Sequence, residues 1–97
     1  MKNPNRKTVT ELTGLPNIGK AIAEDLRLVG IKKPQGLIGK DAYQLHDQLC
    51  TVTGEKHDPC VIDVFLAVID FMEGADPVLW WKYTAERRKH LTRNRKE

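Results

Sequence analysis

The sequence contains little cysteine and no long apolar run, and both absences limit what the protein can be. Two cysteines among 97 residues cannot build the disulfide framework of a small secreted domain, which predicts a reducing cytoplasm. No stretch approaches the roughly 18 apolar residues that a membrane-spanning helix needs. The basic segment 1–7 has no apolar segment behind it, so we do not expect a secretory signal.

Catalytic signatures and strand signals are missing as well. The chain has no Cys-x-x-Cys pair and no Ser/His/Asp arrangement, so we predict that it is not an enzyme. It also has no strand-like alternation and no solenoid-type repeat. A chain of 97 residues, 40% of them apolar, can bury about two-thirds of its unfolded surface. We therefore predict an all-α single domain of about five helices.

Positive charge is concentrated at the two ends of the chain. Residues 82–97 include seven basic and two acidic residues, and residues 1–10 include three basic residues and no acidic one. The middle of the chain has a net negative charge. Basic ends suggest arms that hold a polyanion, and solvated ends that aid solubility are the alternative interpretation. We expect residues 1–7 and 91–97 to be flexible.

Capping residues and glycines delimit the first predicted helices. Thr8 or Thr10 can cap a short first helix that Gly14 ends. A second helix is predicted from about residue 19 to residue 29, with Gly30 as its stop signal. One apolar stripe supports this second helix: Ile22, Ala23, Leu26 and Val29.

The middle of the chain predicts a short turn of helix and then a longer helix. Pro34 precedes one helical turn over residues 35–38. Asp41 caps a helix that runs from residue 42 to about residue 52. Its apolar positions are Tyr43, Leu45, Leu49 and Val52.

Two further helices are predicted to begin at Asp-Pro pairs. Asp58 and Pro59 begin a helix that is apolar on most sides and ends at Gly74, which places it at the centre of the core. Asp76 and Pro77 begin the last helix, which continues through both tryptophans into the basic end. This C-terminal helical half spans residues 58–90.

The most informative segment is the turn before the second helix, formed by Leu15, Pro16, Asn17, Ile18, Gly19 and Lys20. The start of a helix has unpaired N–H donors and the positive end of the peptide dipole, which suits an anion such as phosphate. We predict that the N–H groups of Ile18, Gly19 and Lys20 hold a phosphate, with the Lys20 side chain as counter-charge. A plain turn without a ligand is the alternative.

This turn resembles the helix-hairpin-helix motif of DNA-binding and DNA-repair proteins, whose signature runs apolar-Pro-Gly-Ile-Gly-x-x-x-Ala. Asn17 replaces the first glycine, and we expect it to have a positive φ, which asparagine tolerates better than other side chains do. The resemblance extends over residues 8–52, because an apolar-Gly-Ile turn at residues 29–31 leads to a short covering helix. It implies sequence-independent DNA binding. Hairpins of related proteins can also hold a K⁺ or Na⁺ on the turn carbonyls, and we expect no other cofactor.

The back half of the chain has a second distinctive pattern. Asp58-Pro59-Cys60 is followed by the aromatic and basic run Trp80-Trp81-Lys82-Tyr83. Placed after the hairpin, this pattern is similar to that of a small bacterial family of pathogenicity-locus and mitomycin-resistance proteins. The resemblance covers nearly the whole chain. It implies a helix-hairpin-helix type of fold and no assigned reaction.

The histidines and cysteines could form a metal site or a reactive thiol. His46, Cys50, His57 and Cys60 are four possible zinc ligands, but no tight Cys-x2-Cys pair anchors them, so we predict no bound metal. Cys60 lies in the first turn of a helix, where the dipole lowers a thiol pKa. With His57 or His46 nearby, a nucleophilic or redox thiol is one interpretation, and a packed cysteine is the other.

Acidic and aromatic residues of the back half also allow two interpretations each. Asp63 and Asp70 share a helix face, and we expect a solvated face or an ion pair to Arg87 or Arg88 rather than metal chemistry. Trp80 and Trp81 point about 100° apart on a helix, so we expect one in the core and one partly exposed. With their basic neighbours they form either a platform for unpaired bases or ordinary packing.

These observations predict non-catalytic, sequence-independent nucleic-acid binding, with DNA as the expected polymer. Beyond the turn, the candidate contacts are Lys32, Lys33, Arg87 and Arg88. The first alternative is a protein-interaction module that has lost DNA binding and uses an exposed tryptophan as its anchor. The second is a thiol protein, which rests on Cys60.

Overall fold

Four α-helices and three short 3₁₀ helices form the fold in the computed structural model, which describes the backbone of residues 4–95 and the side chains of residues 4–90. The α-helices are α1 (Lys20–Leu28), α2 (Ala42–Thr53), α3 (Cys60–Met72) and α4 (Thr84–Arg95). The 3₁₀ helices are Leu12–Gly14, Pro34–Leu37 and Trp80–Tyr83. The described residues contain no strand, and their radius of gyration of 13.0 Å is that of one domain of about 100 residues. The predicted all-α class is therefore confirmed.

Helix α1 begins and ends close to the predicted residues, and a Schellman motif ends it. The Gly30 N–H donates to the Arg27 carbonyl at 3.0 Å, and the Ile31 N–H donates to the Leu26 carbonyl at 2.9 Å. This motif needs a left-handed residue after the helix, and Gly30 supplies it at φ +90°. Ala23 and Leu26 are fully buried, so the predicted apolar stripe faces the core.

Helix α2 has the predicted cap. The Asp41 carboxylate accepts the N–H groups of Tyr43 at 2.8 Å and Gln44 at 3.3 Å. The helix buries Ala42, Leu45 and Leu49 on one side. Val52, predicted among the apolar positions of this helix, is exposed.

Helix α3 is the central helix of the domain. It contacts α2, α4 and two of the 3₁₀ helices, and nine of its thirteen residues are buried. The Asp58 carboxylate accepts the Cys60 N–H at 2.8 Å, so the predicted aspartate does stabilise the start of this helix. No helix in the described part of the chain is long and apolar enough to cross a membrane.

The first predicted helix is not an α-helix. Leu12–Gly14 is a single 3₁₀ turn, and no threonine side chain caps it. The N–H groups of Thr8 and Val9 instead donate to the Asn5 carbonyl, residues 9–11 are not helical, and Glu11 is extended. The element before the Leu15 turn is therefore much shorter than the first helix that the resemblance implied.

The last predicted helix begins later than expected. Residues 75–79 are not helical, Leu79 is extended, and helical structure starts at Trp80 rather than at the Asp76 cap. Two carbonyls of this stretch accept hydrogen bonds from distant side chains. Arg6 Nη2 donates to the Ala75 carbonyl at 2.8 Å, and Asn17 Nδ2 donates to the Val78 carbonyl at 2.7 Å. These long-range bonds favour the observed non-helical backbone over a helix start.

Arg6 is a structural residue, although the sequence places it in a flexible basic end. Its Nε donates to the Phe71 carbonyl at 2.7 Å, and its guanidinium carbon lies 5.0 Å from the centre of the Phe71 ring. The positive charge therefore lies at the carboxyl end of α3, where the helix dipole favours a cation. Residues 1–3 and 96–97 of the predicted flexible ends lie outside the described residues, as do the side chains of residues 91–95.

Candidate nucleic-acid interface

Buried apolar side chains anchor the turn before α1 in the core. Leu15, Pro16 and Ile18 are buried, and Leu15 and Ile18 belong to the main core cluster. The Ile18 N–H donates to the Leu15 carbonyl at 3.4 Å, which closes the turn. The three apolar residues of the motif therefore position the turn, and the groups that could meet a ligand are the ones that follow.

Asn17 has the left-handed backbone predicted for the position of the first glycine. Its φ is +67°, the only positive φ of a non-glycine residue in the described chain. The structure also shows what its side chain does, because Asn17 Nδ2 donates to the Val78 carbonyl at 2.7 Å. The amide thus fastens the turn to the stretch before Trp80. The sequence does not reveal this contact, because nothing local indicates a partner 61 positions away.

The N-terminus of α1 is open to solvent. Gly19 is the N-cap residue, no side chain caps the helix, and the first turn has no acidic residue. Within residues 4–95, the N–H groups of Gly19, Lys20 and Ala21 have no internal acceptor, and all three residues are exposed. The Ile18 N–H is not among these donors, because it closes the turn. The predicted set of phosphate donors therefore shifts by one residue, from 18–20 to 19–21.

Lys32 and Lys33 lie beyond the opposite end of α1. Both side chains are exposed. The nine residues of α1 make it about 13 Å long, and Lys32 and Lys33 follow the end farther from Lys20. They are therefore separate from the open N-terminus, and they suit a second phosphate rather than the first.

Arg87 is not part of any exposed surface. It is 8% exposed, and its Nε donates to Asp63 Oδ1 at 2.8 Å in a buried ion pair. Hydrogen bonding to this carboxylate raises the pKa of the Arg87 guanidinium further above its ordinary value. The predicted contact at Arg87 is therefore corrected to the alternative, the ion pair with Asp63. Arg88 is exposed on α4 and remains a candidate.

The aromatic residues divide as the sequence predicted. Trp80 is partly buried against the core, whereas Trp81 is 53% exposed. Tyr83 is half-buried, and burial together with a hydrogen bond to the Asp70 carboxylate raises its pKa to about 12. Trp81 is the member of this aromatic run that presents a large surface to solvent.

Three of the four possible zinc ligands lie close together, but their polar atoms are already engaged. His46 Nε2 lies 3.1 Å from the His57 carbonyl, and His57 Nε2 lies 2.8 Å from Thr53 Oγ1. The His57 N–H donates to Cys50 Sγ at 3.4 Å. Among the described residues, no group of three or more His, Cys, Asp or Glu side chains is placed to hold a metal ion.

The Cys60 thiol has a raised pKa, which corrects the expectation of a lowered one. The Asp58 carboxylate accepts a hydrogen bond from the thiol, and burial and the negative charge of Asp58 also oppose the thiolate. The same contacts lower the pKa of Asp58, chiefly through the Cys60 N–H. A reactive thiolate at neutral pH is therefore not favoured at Cys60.

We expect Cys60 to alkylate slowly at neutral pH and to accelerate only above pH 9, its ordinary pKa. Replacing Asp58 with asparagine removes the negative charge, lowers the pKa of Cys60 and speeds alkylation at pH 8 several-fold. Rates measured with iodoacetamide against pH, with the modified peptide identified by mass spectrometry, separate Cys60 from Cys50. An inflection for wild-type Cys60 below pH 8 would contradict this assignment.

Fold and site together define a small all-helical protein whose left-handed turn presents an open helix N-terminus. Residues 5–89 match the Cdd1 family, described as "Pathogenicity locus". The chain belongs to this family. It is similar to the mitomycin resistance protein McrB of Streptomyces lavendulae, with 32% identity over 82 residues that cover 84% of this chain and 78% of that protein. No solved structure matches the chain.

Proposed function

We propose that the protein is a non-catalytic DNA-binding protein that holds a backbone phosphate at the N-terminus of α1. One observation carries this proposal: the turn at Asn17 leads into exposed N–H groups of Gly19, Lys20 and Ala21 that have no internal acceptor in the described chain. The Lys20 side chain adds a full positive charge to the positive end of the helix dipole.

Such a contact does not depend on base sequence. Main-chain donors and a lysine recognise phosphate oxygens, which are the same at every nucleotide. A single helix N-terminus makes few contacts, so the affinity is expected to be on the order of micromolar or poorer and to fall steeply with salt. Lys32 and Lys33 would meet a second phosphate, and Arg88 with the basic end would add loose contacts.

A cation on the turn carbonyls stays a prediction. The Leu15 carbonyl already accepts the Ile18 N–H, and the Gly19 carbonyl accepts the Ala23 N–H. The phosphate contact proposed here does not require such an ion.

A cytoplasmic location is also part of the proposal and rests on the two cysteines, both of which are free thiols.

The alternative function is a protein-interaction module. The exposed Trp81 supports it, because an indole in solvent is a common anchor at protein interfaces. A charge reversal at Lys20 distinguishes the two functions. It would weaken DNA binding at the turn, whereas a protein partner anchored on Trp81 would not need Lys20.

Replacing Lys20 with glutamate is expected to weaken binding to a labelled DNA duplex by about tenfold or more at low salt, and to reduce the slope of log affinity against log salt by about one. Fluorescence anisotropy at several salt concentrations measures both quantities. Lys56→Glu is the matched control, because Lys56 is an exposed lysine in the loop after α2 and changes the net charge equally.

Equal losses in the two variants would contradict the proposal, since they would show a response to net charge alone. Loss of binding only when Arg93, Arg95 and Lys96 are replaced with glutamine would also contradict it, because the basic end would then be the binding element. A loss confined to Lys20→Glu would support a phosphate contact at α1.

A further inference from the structure

The indole of Trp81 contacts Trp80 and is exposed to solvent. Its side chain is 53% exposed, and it meets Trp80 in an edge-to-face arrangement with ring centres 5.7 Å apart and planes at 83°. Trp80 in turn packs against the core. In an edge-to-face pair the partner covers at most one face of a ring, so at least one face of Trp81 is left uncovered by Trp80.

The surroundings of Trp81 are basic. Thr84 and Arg87 face α3 through Asp63. The exposed residues of the same helical segment are Trp81, Lys82, Ala85, Glu86, Arg88 and Lys89. We call this surface the Trp81 flank. It combines one large aromatic side chain with three positive charges and one negative charge, that of Glu86, and its net positive charge is complementary to a polyanion that carries planar groups.

The Trp81 flank is tied to the turn before α1. The hydrogen bond from Asn17 Nδ2 to the Val78 carbonyl, 2.7 Å long, joins the two segments directly. Lys20 is three residues from Asn17 and Trp81 is three residues from Val78, so each separation is at most about 10 Å. A strand that advances about 3.4 Å per nucleotide therefore needs at most roughly nine nucleotides to reach from Lys20 to Trp81.

We propose that the Trp81 flank stacks unpaired bases, so that the protein binds single-stranded DNA in preference to duplex. This inference rests on the proposed phosphate contact at α1 and adds the class of substrate. Bases in a duplex are stacked on their neighbours and paired, whereas bases of a single strand are free to lie on an indole. Lys82, Arg88 and Lys89 then hold the phosphates that flank the stacked base.

The test compares a labelled twelve-nucleotide oligo-dT strand with a labelled duplex of the same length, by fluorescence anisotropy at fixed salt. Trp81→Ala is expected to weaken binding of the strand about 5–150-fold, the range for losing one base-aromatic stack. Binding of the duplex is expected to change by less than about twofold. Trp81→Phe retains an aromatic face and recovers most of the loss. Val52→Ala is the matched control, because Val52 is an equally exposed apolar side chain, 57% against 53%, on α2.

The outcomes separate this inference from the proposed function. If Lys20→Glu weakens both polymers and Trp81→Ala weakens neither, or weakens both equally, base stacking is overturned and the phosphate contact stands. If Trp81→Ala weakens only the strand and Lys20→Glu weakens nothing, base stacking is supported and the phosphate contact at α1 is overturned. If the wild-type protein binds neither polymer at low salt, base stacking and the phosphate contact are both overturned. A protein partner is then the remaining candidate to bind the Trp81 flank.

Discussion

Replacing Asp63 with alanine is expected to lower the free energy of unfolding by about 3–5 kcal/mol, a large part of the 5–15 kcal/mol typical of a domain. Asp63 has no solvent exposure, and its two carboxylate oxygens accept Arg87 Nε at 2.8 Å and Thr84 Oγ1 at 2.7 Å. Without the carboxylate, the Arg87 guanidinium is a buried charge with no counter-ion. Leaving such a charge unpaired costs more than the pair contributed.

The loss should begin at α4. The described inward contacts of this helix are mostly polar, namely Thr84 and Arg87 to Asp63 and the stack of His90 on Tyr43 at 3.7 Å. Urea unfolding followed by circular dichroism measures the free energy, and loss of helical signal before the main transition would show α4 detaching. For a domain of this size each kcal/mol lowers the melting temperature by about 4–8 °C.

Two matched variants identify the cause of this loss. The double replacement Asp63→Leu with Arg87→Met removes both charges and is expected to recover most of the stability. Arg27→Ala breaks the exposed ion pair with Glu24, 3.2 Å long, and is expected to cost no more than about 0.5 kcal/mol. A loss below about 1 kcal/mol for Asp63→Ala would contradict a structural role for the buried pair.

Replacing Asn17 with alanine is expected to cost about 2–3 kcal/mol. Two effects add, because alanine has no side-chain donor for the Val78 carbonyl and is strained at a φ of +67°. A net hydrogen bond contributes about 0.5–1.5 kcal/mol, and the left-handed conformation costs alanine about 1–2 kcal/mol. Asparagine tolerates this conformation better than other side chains do.

Asn17→Gly separates these two effects. Glycine adopts the left-handed conformation freely but also lacks the donor, so we expect a loss of about 1 kcal/mol. DNA affinity should survive in Asn17→Gly, because Gly19 and Lys20 keep their place at the N-terminus of α1. Urea unfolding of the two variants side by side makes the comparison. Equal losses in the alanine and glycine variants would show that backbone strain at this position is negligible.

The parts of the fold that could be predicted from sequence are those that local signals fix. Asp41 caps α2, and Gly30 ends α1, since both act on backbone groups within four residues of themselves. The apolar pattern after Asp58 also lies within the helix itself, and it identified α3 as the central helix. Each of these elements is specified by residues inside it or next to it.

Most long-range polar contacts could not be predicted from sequence. Asp76 and Pro77 have the local signature of a helix start, yet Arg6 and Asn17 donate hydrogen bonds to carbonyls of that stretch, which is not helical. An ion pair to Arg87 or Arg88 was one of the expectations for Asp63 and Asp70, but the sequence did not indicate which pair forms or that it is buried. In the candidate site the positive φ of Asn17 could be predicted from the motif, whereas its partner Val78 could not.

The most direct test of the central proposal is a titration of the ¹⁵N-labelled protein with a short DNA strand, followed by amide chemical shifts. A phosphate at the N-terminus of α1 predicts the largest early shifts at the amides of Gly19, Lys20 and Ala21, with Lys20→Glu reducing them. Shifts confined to residues 82–97, with the amides of 19–21 unmoved, would contradict the proposed phosphate contact at this helix.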